Sequence, residues 1–379
     1  MDAPHTILVL GGYGNTGLPL VAQILRETEA RVIVAGRTRE RAERAVAQFQ
    51  HDFAPERVEA AVVDAADAKS LWNALSGVDV LVAASSTAKH VRTVASAALA
   101  ARCDYLDVQY STAKMRALAS MRGEIEQAGR CFIADCGFHP GLPAALVRHV
   151  ASQFDTLETA NVSSIIQIDW DTLDLGRDTI DEFVGEFTDY EAQFFKEGAW
   201  NSASMWSTKD FRRVDFGPPF GERVCAPMLF EELRSLPQQI PGLRETGFFI
   251  AGFNPVTDNL VMPLAIVAFR YFPRMLGPAM ARLMHWSMRR FARPPYECIL
   301  RVDAQGQKDG RTMRAAIELR HTDGYLMTAI PVAACLKQML IGGIRKPGLW
   351  TMGNVVETQR LFDDMARMGL PATTTRAHA

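Results

Sequence analysis

Thr6-Ile-Leu-Val-Leu-Gly-Gly-Tyr-Gly-Asn-Thr-Gly17 is the stretch on which the reading of this chain turns. The apolar run Ile7 to Leu10 is too short for a buried helix and reads as a strand. Gly12-x-Gly14-x-x-Gly17 follows at once, and Leu18-Pro-Leu-Val-Ala-Gln-Ile-Leu25 then reads as a helix. Strand, glycine turn and helix in that order are the context a dinucleotide-binding loop requires. Gly12 permits the tight turn, Gly14 lets a pyrophosphate approach the backbone, and Gly17 lets the helix lie close to the strand. The helix N-terminus offers unpaired N–H groups and a positive dipole end to phosphates. The expected phosphate contacts are therefore Gly12, Tyr13, Gly14, Asn15, Thr16 and Gly17.

A second strand, Arg31 to Gly36, runs into Arg37-Thr-Arg-Glu-Arg41. The residue closing this strand meets the adenosine ribose in such sites, where a carboxylate selects the free 2′-OH of NAD. Here no carboxylate stands at that position and Arg37 does, so the expected cofactor is NADP(H), held by Arg37 and Thr38. Arg39 and Arg41 equally suit the solvated start of the next helix. A third strand, Val58 to Val63, ends at Asp64, placed to accept from the adenine amino group, and Asp67 caps a helix over Ala68–Leu75. A fourth strand, Val78 to Ala83, delivers Ala84 and Ser85 to the same crevice. Further strands at Tyr105–Val108 and Cys131–Ala134 flank helices over 88–101 and 112–128. This alternation predicts a Rossmann, doubly wound parallel α/β sheet.

The sixth strand leads into Asp135-Cys-Gly-Phe-His-Pro-Gly-Leu142 and a helix from Pro143. Ligands bind at the carboxyl ends of strands in such sheets, so this loop is expected at the hydride-transfer end. Tyr110, His139 and Asp107 are the candidate catalytic groups. Asp107 also reads as a plain acceptor for nearby loop amides, Cys136 as a small buried side chain, and Pro140 as turn punctuation.

With 379 residues, 48% of them hydrophobic, the chain is long enough for two cores. A net charge of −2 leaves no basic field for nucleic acid. The six cysteines form no CxxC pair or zinc spacing, so no metal is expected and the thiols read as reduced, in a cytoplasmic protein. The N-terminus lacks a basic, apolar leader pattern and enters the first strand directly.

Beyond residue 154 the texture changes. Leu157–Ile168 reads as β, and Asp169 to Glu191 as an amphipathic helix with nine acids. A proline-bearing loop region follows, with strand-like residues near Gly247–Ala251. Residues 259–296 hold six arginines and no acid among Met and aromatic residues. This run reads as helices of the second domain or a dimer contact, as a lid, or as a membrane-surface segment. Tyr296–Val302 and Thr312–Arg320 form a hairpin across a turn at Asp303–Gly310, which suits an α+β domain with a mainly antiparallel sheet. A helix starting at Pro331, a loop over 346–353, a helix over 357–367 and a frayed tail from Thr373 close the chain.

Several stretches taken together resemble the saccharopine-dehydrogenase-like oxidoreductases: GGYGNTG at 11–17, AGR at 35–37, VDAAD at 63–67, CDYLDV at 103–108, GFHPGLP at 137–143 and KPGLWTMGNVVE at 346–357. The resemblance implies an NADP-binding domain over 1–150, a substrate and dimerisation domain over 151–330, and a segment over 331–379 that packs back on the first. It implies hydride transfer at a carbon–nitrogen bond of a small, amino-acid-derived substrate; a homodimer is expected beside it. His139 stands where saccharopine-acting members commonly have an aspartate, and Gln109-Tyr110 where the family often has Gly-Glu. Two other readings are a lipid-linked, enoyl-type reductase whose segment 259–296 touches a membrane, and an NADP-binding sensor without turnover.

Overall fold

The computed structural model describes residues 4–170, 190–204 and 208–378. The helix expected over the acidic stretch falls almost wholly in 171–189, outside the described residues. In chain order the first elements are β1 (Thr6–Leu10), α1 (Gly17–Glu27), β2 (Arg31–Gly36), α2 (Arg39–Phe49), β3 (Val58–Val62), α3 (Ala68–Ala74), β4 (Val80–Ala83), α4 (Val91–Ala100), β5 (Asp104–Asp107), α5 (Thr112–Ser120), α6 (Arg122–Gln127), β6 (Cys131–Ala134) and α7 (Leu142–Ala151). Then come β7 (Thr156–Gln167), β8 (Gln193–Lys196), β9 (Ala199–Ser202), β10 (Arg212–Asp215), β11 (Glu222–Met228), α8 (Leu236–Gln239), β12 (Glu245–Ala251), α9 (Met262–Tyr271), α10 (Pro273–Phe291), β13 (Glu297–Lys308) and β14 (Arg311–His321). The chain closes with α11 (Gly324–Leu340), β15 (Gly348–Thr351), α12 (Met352–Val355), α13 (Thr358–Arg367) and β16 (Ala372–His378).

Two compact units result: Met1–Ala145 with Tyr325–Pro371, and Leu146–Gly324 with Ala372–Ala379. The first is built on a parallel sheet of seven described strands, ordered β15-β6-β5-β4-β1-β2-β3. Its central strands are apolar on both faces. Leu8, Leu10, Ile33 and Ala35 join one core cluster, while the alternate residues Ile7, Val9, Val32 and Val34 are equally buried on the other face. Strands buried on both faces need helices on both faces, which is the doubly wound architecture. Sequence order reverses between β1 and β4, so the crevice beyond their carboxyl ends lies at this switch point. Asp67 caps α3 through a bond from the Lys69 amide.

Three elements of this unit differ from expectation. The helix over 112–128 is two helices, because the chain tightens into a three-residue turn where the Met121 amide donates to the Leu118 carbonyl. The loop at 346–353 contains β15, which pairs in parallel with β6 from Gly348↔Cys131 to Thr351↔Ala134 and puts Leu349 in the core. Pro331 lies inside α11 rather than at its start. A proline there costs a backbone bond, but this part of the helix is buried, and packing outweighs propensity.

The second unit carries a sheet in the order β10-β11-β12-β7-β13-β14-β16, with β8 on β12 and β9 on β8. Only the β12–β7 pair is parallel among the described strands. Ile165, Phe249 and Ile299 sit in its core. The hairpin β13–β14 turns at Asp309–Gly310, both left-handed (φ 52° and 73°), not across an eight-residue loop. Gly306 belongs to the strand: a Cβ there would lie 2.1 Å from the Thr156 carbonyl oxygen. The proline-bearing stretch expected as loop holds β10 and β11. The tail expected to fray is β16, paired with β14 from Leu319↔Ala372 to Met313↔His378. Among the described residues no helix is long and apolar enough to cross a membrane.

Candidate functional site

The turn after β1 is made by Gly11, one residue earlier than the motif suggests. Its φ is +86°, and a Cβ would lie 2.5 Å from the Ser85 Cβ, so the loops after β1 and β4 touch here. Gly12 has an ordinary φ; its Cβ would press on the Val9 carbonyl at 3.0 Å and on Val34. A Cβ on Gly14 would meet only the Gly11 carbonyl, at 3.1 Å, leaving its other sides open. One on Gly17 would sit 2.0 Å from that same oxygen, so α1 rests directly on the loop. The Gly14 amide donates to Gly11 and the Leu18 amide to Gly14. The Thr16 side chain does not cap α1, and no acid stands in the first turn. An open Gly14 beside an acid-free helix N-terminus fits a pyrophosphate.

Tyr13 reaches from this loop to the end of β2. A Cβ on Gly36 would lie 2.5 Å from its ring. The Thr38 amide donates to its hydroxyl at 2.9 Å, and the Arg41 guanidinium lies 4.9 Å from its ring centroid. Arg37 and Thr38 are exposed beside it. Arg39 pairs with Glu43 at 3.6 Å along α2, which is its helix-solvating role. The Asp64 carboxylate accepts from the Ala66 amide at 2.9 Å, and the Asp64 amide donates to the Ser70 hydroxyl at 3.1 Å, so Asp64 closes a local turn. The Ala84 amide continues the β4–β1 ladder to Leu10. A residue the sequence reading did not single out, Tyr325, accepts from the Asn15 side chain at 3.0 Å. One turn on, Thr328 lies 3.0 Å from where a Gly137 Cβ would stand. The first turns of α11 thus contact both the glycine loop and the loop after β6.

The loops after β5 and β6 are held by a buried cation. Lys114, in the first turn of α5, is fully buried. Its ammonium donates to Asp107 Oδ1 at 2.5 Å, to Asp135 Oδ1 at 2.7 Å and to the Gln109 carbonyl. Burial disfavours its charge, yet Asp107 and Asp135 outweigh that and raise its pKa. Asp107 also accepts from the amides of Gln109 and Asp135. Burial, then the Asp107 charge, push the Tyr105 phenol well up. The Gln109 side chain donates through Nε2 to the Thr87 hydroxyl at 2.9 Å, tying the β4 and β5 loops. Lys114 has no sequence signal beyond the Ser111 cap before it, because its partners come from two separate segments, the stretch leaving β5 and the residue after β6.

Asp135 takes a left-handed φ of 55° and starts the loop that carries His139. The Cys136 amide donates to the Asp107 carbonyl at 2.8 Å. Gly141 (φ +122°) has no room for a Cβ beside the Gly137 nitrogen, the Asp135 oxygen and Met352. The His139 ring lies 4.0 Å from Phe138. Burial lowers its pKa from 6.5 to about 4, so at neutral pH the imidazole is uncharged: it can accept a proton but carries no second one to give. Tyr110 is half-buried just after β5.

His139 makes stability acid-sensitive. Its folded pKa lies below its unfolded one, so its contribution is complete above about pH 6.5 and is lost as pH falls toward 4. His139→Gln is expected to flatten this part of the stability–pH curve, measured by urea unfolding from pH 7 to pH 4.

Residues 7–133 match the family model described as saccharopine dehydrogenase NADP binding domain. No curated protein matches the sequence. Among solved structures, the apo saccharopine dehydrogenase (L-Glu forming) of Saccharomyces cerevisiae is similar over 98% of this chain and 100% of its own, at 15% identity and a TM-score of 0.72. An oxidoreductase from Sinorhizobium meliloti covers the same shares at 10% identity and a TM-score of 0.47. At such identities the first likeness speaks to fold. The glycine loop, the arginine-bearing end of β2 and the family match converge on an NADP-binding domain in the N-terminal part of this chain, similar to that of saccharopine dehydrogenase, and its cofactor is NADP.

Proposed function

We propose that the chain is an NADP(H)-dependent oxidoreductase that moves a hydride to or from a carbon–nitrogen bond of an amino-acid-derived substrate. What carries the reading is one juxtaposition. The phosphate-binding loop after β1 and the His139 loop after β6 stand at the same, carboxyl edge of one parallel sheet, as cofactor and substrate ends of one crevice would. The full-length fold likeness to an enzyme described as a saccharopine dehydrogenase, L-Glu forming, supports the substrate class.

In this reading the amides from Gly14 to Gly17 hold the pyrophosphate and Arg37 the 2′-phosphate, while Tyr13 and Arg41 line the ribose end. The bound cofactor supplies or accepts the hydride. Tyr110 and His139 are the groups that handle the proton. A neutral His139 suits taking a proton from an amine on oxidation. Asp107, engaged by Lys114 and two amides, acts by fixing the loop rather than by donating a proton. Ser85 packs on Gly11 and shapes the crevice floor, and Asp64 serves the backbone turn at its edge.

Arg37→Ala is expected to weaken NADPH binding about ten- to a hundredfold, the worth of one charge-assisted bond, and to leave NADH binding unchanged. Fluorescence titration with both nucleotides reads the difference. For the chemistry, NADPH oxidation is followed with keto acid and amino acid pairs, and NADP reduction with the matching secondary amines. His139→Gln and Tyr110→Phe should keep NADPH affinity and lose turnover. Tight NADPH binding with no oxidation across these substrates would instead indicate a sensor.

A further inference from the structure

In the second unit, α9 and α10 form a helical hairpin with a thin core of its own. Val261, Ala265 and Met284 make its seam, with Met262, Met280 and Leu283 packed alongside. The opposite side of α9 and of the helical turn Thr257–Val261 that leads into it is apolar as well. Leu260, Leu264, Val267 and Tyr271 recur at steps of four, three and four, which is one face of a helix, and all four are exposed, Leu264 at 60% and Tyr271 at 66%. At the hairpin tip Phe272, Met275 and Leu276 continue the patch, Met275 at 71% exposure. A run of seven large apolar side chains left in water on one face and tip is more than the scattered exposure a soluble surface carries.

The charge beside this patch has one sign. From residue 259 to 296 the sequence holds six arginines and no acid. Arg282, Arg289, Arg290 and Arg293 are exposed along α10 and just beyond it, with Trp286 among them at 53% exposure. Among its described side chains the helix pair therefore has an apolar tip and, further from the tip, a collar of arginine and tryptophan, while the sequence places Arg270 and Arg274 beside the tip. Neither helix is long and apolar enough to span a bilayer. That combination is what an interfacial membrane segment carries: apolar side chains reach the acyl boundary while arginines meet anionic headgroups and tryptophan sits at the interface.

We infer that the α9–α10 hairpin docks the protein reversibly on an anionic membrane surface. A second copy of the chain fits the same face less well. A two-fold contact places each patch against its own copy, which would bring the arginine collars toward each other with no acid in the segment to oppose them.

The test uses the full chain and vesicles. Flotation with phosphatidylserine-rich vesicles at low salt should recover the protein, with at least tenfold less on pure phosphatidylcholine and a steep loss as salt shortens the screening length. Tyr271→Asp with Met275→Asp, and separately Arg282→Glu with Arg290→Glu, should each abolish flotation while NADPH binding is retained. On the unaltered protein, phosphatidylserine-rich vesicles should slow amide exchange over 262–291. Absence of flotation at low salt overturns the inference, as does flotation that survives both double variants. So does a dimer in sedimentation velocity that Tyr271→Asp with Met275→Asp dissociates, if the unaltered protein fails to float.

Discussion

Lys114→Met is expected to cost about 3–5 kcal/mol of stability, the penalty for stranding a buried charge partner. In the native protein three acceptors converge on the Lys114 ammonium, and its side chain has no access to water. Methionine fills the same volume but leaves Asp107 and Asp135 facing each other without a cation. For a unit of this size the loss corresponds to roughly 6–20 °C in Tm. Combining Lys114→Met with Asp107→Asn and Asp135→Asn should restore most of it, since removing both sides of a buried pair is far cheaper than removing one. The sign with pH follows. The folded Lys114 pKa is raised above its unfolded value of 10.5, so its contribution is complete below about pH 10.5 and is lost as pH climbs through the folded value. Alkaline unfolding curves of the two proteins should therefore converge. If Lys114→Met melts within a degree of the parent, the ammonium does not hold these loops.

The second large effect is expected at Gly17. Gly17→Ala puts a methyl group 2.0 Å from the Gly11 carbonyl oxygen and 2.8 Å from the Gly12 Cα. Both are backbone atoms, so nothing flexible can give way. The helix must lift off the loop, and a displacement of this kind costs about 1–3 kcal/mol in stability. NADPH affinity should fall at least a hundredfold, about 3 kcal/mol, because the amides and the helix end no longer point at one place. Gly14→Ala is the contrast. Its new methyl would meet one protein atom, at 3.1 Å. Its Tm without nucleotide should stay close to the parent's, while the stabilisation that NADPH gives the parent disappears. If Gly14→Ala keeps full NADPH stabilisation, the pyrophosphate does not pass over that residue.

These two sites differ in how far they could be read beforehand. The glycine loop is local: a strand, a turn and a helix start lie within twenty contiguous residues, and Gly11 and Gly17 stand where a side chain would strike its neighbours while Gly14 stays open. Even so, the roles moved by one position, because the left-handed turn falls on Gly11, and only the approach of Ser85 from β4 reveals it. The Asp67 helix cap was equally legible, since its side chain bonds the amide two residues on. Lys114 was not legible. Its acceptors come from the stretch leaving β5 and from the residue after β6, and a lone lysine in a helix ordinarily reads as solvated. Tyr325 was hidden for the same reason, being 310 residues from its partner Asn15.

Short strands divide along the same line. Cys131–Ala134 is continuous, apolar and bounded by turns, and it was expected where it lies. Gly348–Thr351 looks like a loop, because Pro347 and Gly348 are turn residues and only pairing with β6 makes it a strand. Ala372–His378 is polar and threonine-rich, so nothing local required order, yet β14 offers it a full ladder edge. Sequence alone determined the alternation of strands and helices, the dinucleotide loop and the absence of a ribose-reading carboxylate, since each is written in neighbouring residues through helix period, turn stereochemistry and charge. Tertiary structure alone decided which carboxylates share Lys114, which strand edges take β15 and β16, and which face of α9 stays in water, because those energies come from groups distant in the chain that meet only once both cores have formed.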